Sequence, residues 1–196
     1  MIRPRNQDLC AILIGSILTA LFAEPTDISI LAGIPVAAAG VLLWFLAAMA
    51  HPLGSAADVY AWDRGGIYSH VRHPRITAAF LLVAGVLLTC ASSGKYGRWV
   101  GRSACPLAVL YFFIEALPRA DAELRRAADA AGDRARNYFT KVPAFLPLLF
   151  KNPWPVSVNY NWRRLASPRE WFWIVYLSLL IYFCVWRARN TDWLRW

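Results

Sequence analysis

The residues of this chain best suited to chemistry fall in two short stretches, Arg72-His73-Pro74 and the series Glu115, Arg119, Glu123. An arginine grips an anion with a planar fork of donors, and a histidine beside it supplies a donor or an acceptor at neutral pH. Pro74 lies near the start of an apolar run, where its missing N–H is harmless, and this leaves Arg72 and His73 at the mouth of a helix. Spacing by four stacks Glu115, Arg119 and Glu123 along one helical face, with Pro118 bending the helix. Two readings stand for each stretch. Arg72 and His73 are either an interfacial pair reaching lipid headgroups or part of a site. The series is either an ion-pair ladder worth a few tenths of a kcal/mol, roughly, or a polar set turned inward. A carboxylate closing an apolar run is costly against lipid, so Glu115 is expected to point inward.

The elements that must position these residues are apolar helices. Of 196 residues, 58% are hydrophobic and only 17% charged, with a net charge of +9. A soluble domain needs roughly a quarter of its residues charged, so a membrane domain is expected. The basic residues lie between apolar runs, which fits an anionic membrane surface and argues against a nucleic-acid partner. The runs are Leu9–Ala23, Ile28–Ala50, Ile76–Ala91, Ala104–Ala116 and Trp171–Trp186, about five transmembrane segments in an all-α polytopic bundle. Ser92 to Ser103 reads as a glycine-rich loop, and Arg119 to Tyr138 as helical in composition. The N-terminal arm, His51–Arg75 and Leu117–Glu170 carry most of the Lys and Arg, which places them on the cytoplasmic side. Cys10, Cys90, Cys105 and Cys184 show neither zinc spacing nor a disulfide framework and read as small core-filling thiols, so no metal site is expected.

The ordered set Gly66-x-Tyr68-x-x-x-Arg72-His73-Pro74, an apolar hairpin, then Arg119-x-x-x-Glu123, Gly132, Tyr138, Val142-Pro143 and Pro147 resembles the isoprenylcysteine carboxyl methyltransferase and phospholipid methyltransferase group of integral membrane enzymes. The likeness covers residues 50–147 of a single membrane domain, 1–196, and leaves 151–196 as a C-terminal extension with a last transmembrane helix. The resemblance implies S-adenosylmethionine bound in a pocket open to the cytoplasm and a lipophilic carboxylate entering from the bilayer. It implies that Tyr68, Arg72, His73, Pro74, Arg75, Ile76 and Glu123 line the cofactor site, with Asp63 and its neighbours at the border. It implies that Arg119 aims the substrate carboxylate, with Glu115 beside it, and that Arg119, Glu123 and Arg72 form the catalytic set. A sulfonium methyl is already activated and a carboxylate already nucleophilic, so alignment supplies most of such a catalysis.

The chain departs from the family pattern in four places. Ile76 and Ala78 stand where a tyrosine and a glycine are usual, Leu124 replaces the second acid, and Ala135 replaces a tyrosine. These losses allow an altered pocket, a weaker enzyme, or a fold kept for another use. The alternatives are therefore a phospholipid or amine N-methyltransferase, with Glu115 or Glu123 as base, and a non-catalytic membrane scaffold. A sterol-type reductase using NADPH shares an Arg-His-Pro-like segment, but no separate phosphate-binding basic cluster supports it. The expected surroundings are membrane lipids, a lipophilic or prenylated substrate and a protein partner at the C-terminal extension. The alanine- and arginine-rich usage suits a multi-pass protein of a bacterial inner membrane.

Overall fold

The computed structural model describes residues 25–50, 66–91, 98–129, 138–145 and 168–190. Among them there is helix and connecting chain but no strand, so the all-α expectation holds. The helices are α1 (Asp27–Ala50), α2 (Pro74–Cys90), α3 (Cys105–Tyr111), α4 (Leu117–Asp129) and α5 (Pro168–Arg189), with a 3₁₀ turn at Gly66–Ser69. The chain divides into two compact units, one of residues 1–39, 81–110 and 172–196, the other of residues 40–80 and 111–171. The expected first segment, Leu9–Ala23, lies outside the described residues, as do Asp63, Gly132, Ala135 and Pro147.

In the first unit, α1 begins with a reciprocal cap. The Thr26 hydroxyl accepts from the Ser29 N–H at 3.3 Å, and the Ser29 hydroxyl accepts from the Thr26 N–H at 2.9 Å. Two of the donors that a helix start leaves unpaired are thereby satisfied. Ser29 Oγ also reaches the Thr89 carbonyl at 3.0 Å, which ties the start of α1 to the end of α2. From that tie the helices run antiparallel and very close. A Cβ on Gly33 would fall 2.6 Å from the Gly85 carbonyl oxygen, and one on Gly85 would fall 2.5 Å from the Ala37 nitrogen. Only hydrogen fits at either position, the small-residue packing that lets apolar helices associate without a polar seam. Cys90 and Cys184 are both buried in this unit.

The second unit packs the end of α1 against the turn that precedes α2. Ala47, Ile67, Tyr68 and Val71 form one buried cluster, with Leu43 and Ala50 against it. Leu124, Tyr138 and Val142 form another, with Phe139 at its edge. Four rings, Phe80, Phe112, Phe113 and Phe145, pack with centroids 4.4–6.1 Å apart. Pro74 is the first residue of α2, where its sequence position placed it, and is fully buried.

Residues 98–103, within the expected loop at Ser92–Ser103, are already helical. A π-helical turn at Val100–Ala104 leads into α3, and a second, Phe112–Ala116, leads into α4. Each ends two residues before a proline, Pro106 or Pro118. A proline ring clashes with the carbonyl four residues back and offers no N–H, so the turn before it widens. At the second site the Leu117 N–H donates to the Phe112 carbonyl, five residues back. The chain is therefore one continuous helix over Arg102–Arg126, which carries the apolar run on through Pro118 as the spacing of Glu115, Arg119 and Glu123 implied.

Two of the described helices, Asp27–Ala50 and Arg102–Arg126, are long and apolar enough to cross a membrane, and Pro74–Cys90 is a shorter apolar helix. Large apolar side chains stand outward on both long helices, among them Ile28 at 81% exposure and Ile114 at 69%.

Candidate functional site

Arg72, His73 and Asp121 meet in the second unit. The Arg72 guanidinium Nη1 is paired with Asp121 Oδ1, and His73 Nε2 lies 3.3 Å from the same oxygen. The other oxygen, Oδ2, accepts from Arg125 Nε at 2.9 Å. An ionised carboxylate only accepts, so the imidazole proton sits on Nε2 and leaves Nδ1 as the acceptor. The Arg72 and His73 side chains are only 10% and 9% exposed, whereas Asp121 keeps 20%, enough to leave it reachable. Burial holds the His73 imidazole below its ordinary pKa of 6.5, with Arg72 acting in the same direction and Asp121 against it.

Local chain geometry explains why these groups converge. The 3₁₀ turn at Gly66–Ser69 buries Ile67 and Tyr68 and swings Arg72 and His73 out just before α2 begins. Arg72 is then held from the far end of the motif region. Its backbone N–H donates to the Pro143 carbonyl at 2.9 Å and its Nε to the Val142 carbonyl at 2.7 Å. The Tyr138 hydroxyl donates to the Tyr68 carbonyl at 2.9 Å, a third bond between stretches 70 residues apart. Phe139 lies beneath both guanidiniums, with Arg72 Cζ 5.0 Å and Arg125 Cζ 4.9 Å from its ring centre. Thr77 adds a bond from its hydroxyl to the Phe145 carbonyl at 3.3 Å.

The remaining sequence-derived residues divide clearly. Tyr68 is 6% exposed and spends its hydroxyl on the Ala47 carbonyl, so it is a packing residue rather than a lining one. Arg75 lies over the Trp44 ring at 5.9 Å, and Ile76 is half-buried. Glu115 does not point inward as expected. Its side chain is 44% exposed and pairs with the 52%-exposed Arg119 one turn on, so the ladder reading describes that pair. Glu123 is exposed on the same helix, outside the Arg72–His73–Asp121 cluster. Among the described residues no group of His, Cys, Asp and Glu could hold a metal ion.

Asp121 and Arg125 were not singled out by sequence reasoning, although a signal was there. Ala120 and Leu124 form the buried face of α4, and Asp121 lies beside Ala120, three residues before Leu124 and four before Arg125. An acid adjoining an apolar helical face, with an arginine at i+4, is placed for an inward ion pair. No family model, no curated protein and no solved structure matches the chain.

Proposed function

We propose that this chain is a multi-pass membrane methyltransferase that uses S-adenosylmethionine to methylate a lipophilic carboxylate, with its site on the cytoplasmic side of a bundle of about five spans. The observation that carries the reading is the junction of the two motif stretches. Residues 68–74 and 138–143 are two parts of the ordered set that carries the resemblance, and three hydrogen bonds join them beside His73. The outward apolar faces of α1 and of Arg102–Arg126 support the membrane placement, and the basic segments support the orientation. A bacterial inner membrane suits the composition.

The donor set fits the cofactor in part. Asp121 retains exposure and lone pairs for an ammonium or hydroxyl group and His73 adds an imidazole, while Glu123, the carboxylate the resemblance implies, stands exposed on the same helix outside that cluster. The Tyr68 hydroxyl and Arg72 Nε and Nη1 are bonded to protein, so these two residues hold the frame around the site. When bound, the cofactor supplies an electrophilic methyl group. Arg119 is exposed and can leave Glu115 to meet an acceptor carboxylate, which needs aiming more than activation.

Calorimetric titration of the detergent-solubilised chain with S-adenosylhomocysteine and with NADPH, side by side, tests the reading. Saturable binding of the first, weakened by Glu123→Gln and His73→Ala, is expected; Arg119→Ala should lower turnover and spare that binding. If the folded chain binds neither compound, the enzyme reading falls. A non-catalytic scaffold is then the better account, and the exposure of Arg119 and Glu123 outside the buried cluster is the observation in its favour.

A further inference from the structure

Cys90 and Cys184 are 94 residues apart in the chain, yet their sulfur atoms lie 3.6 Å apart. Cys90 is the last residue of α2, and Cys184 lies within two turns of the end of α5. They are 0% and 1% exposed, so the two thiols face each other in a closed interior. At that separation no other side chain stands between them.

We propose that Cys90 and Cys184 are a disulfide site, oxidised in the mature protein to a bond that joins the ends of α2 and α5. A second observation gives the pair its compartment. α2 starts beside the basic segment His51–Arg75 and α5 beside the basic segment Leu117–Glu170; although Lys95, Arg98 and Arg102 follow α2 and Arg187, Arg189 and Arg195 close the chain, these two segments and the N-terminal arm hold 15 of the 21 Lys and Arg, which puts both starts in the cytoplasm. The ends of both helices then reach the opposite face, where disulfides form and persist. The inference rests on that orientation and not on the methyltransferase reading.

The chemistry balances with an oxidant of the disulfide class. One thiol loses its proton and attacks the oxidant, giving a mixed disulfide and releasing one thiol of the oxidant. The second then loses its proton and displaces the other, so two electrons and two protons leave the protein and the oxidant ends as two thiols. Exchange needs access, and the docked helices allow little. The bond therefore forms as α5 docks against α2, and burial afterwards shields it from reductants.

The test uses the full chain in its native membrane, quenched in acid, denatured, and alkylated with a maleimide polymer before and after reduction. Of the four cysteines, two should resist alkylation until reductant is added. Peptide mapping should locate the bond at Cys90 and Cys184, with the linked pair lighter by two hydrogen atoms. In Cys90→Ala the three remaining cysteines should react without reductant, whereas Cys105→Ala should leave the protected pair intact. Four reactive thiols in the unreduced wild-type chain overturn the proposal. So does a bond that includes Cys10 or Cys105. Should Cys90→Ala not fold, the wild-type titration and the mapping decide alone.

Discussion

Asp121 answers to three partners, Arg72, His73 and Arg125, and draws them to one carboxylate, although the motif resemblance did not single it out. Asp121→Asn keeps the shape but removes the charge and turns one of the two acceptors into a donor that must face a guanidinium. A loss of about 1.5–3 kcal/mol is expected, the range for a hydrogen bond to a charged group, read as a lower unfolding midpoint in detergent. His73 makes stability depend on pH in a determined direction. Its folded pKa lies below 6.5, so the unfolded chain takes up the proton first as pH falls. The stabilisation from a neutral His73 is complete above pH 6.5 and is lost as pH drops through the lower folded value. Denaturation curves taken from neutral to acid should show that decline, and His73→Gln should flatten it. Arg72 and His73 were visible in the sequence because an Arg-His-Pro tripeptide before an apolar run is conspicuous. Asp121 was not, because the series Glu115, Arg119, Glu123, spaced by four, drew the reading to another face of the helix.

Helices were the most legible elements, for a plain reason. α1, α2 and α5 are built on uninterrupted apolar runs, and such runs reveal helices whatever their partners. Their contacts were less visible. Gly33 and Ala37 are small residues inside an apolar run, but only the structure pairs them with Gly85 and Thr89. Gly33→Ala should therefore cost more than an ordinary exchange at a helix surface. The new methyl must push against the Gly85 backbone, and overpacking of this kind costs about 1–3 kcal/mol. Thermal unfolding in detergent would measure it, with Ala38→Gly on the exposed face as the control. Thr26→Ala removes the hydroxyl half of the cap and should lower stability by about 0.5–2 kcal/mol in the same assay.

For the whole molecule, the outward apolar side chains make the surrounding medium part of the fold. The chain should stay with the membrane through alkaline carbonate washing and come away only with detergent. Ile114→Arg, on an exposed position midway along Arg102–Arg126, should hinder insertion by roughly 2.5–3.5 kcal/mol, measurable by protease mapping of the span. That same helix holds the feature with the widest reach. The π turn at Phe112–Ala116 accommodates one residue more than an α-helical turn, and successive residues are about 100° apart around a helix. It therefore acts as a phase shifter, setting which side of α4 meets Arg72. Deleting a single residue from that turn would leave the helix long and apolar enough to form. It would also carry Asp121 a quarter-turn or so away from its partners. In this chain the count of residues ahead of Pro118, as much as their identity, is part of the site.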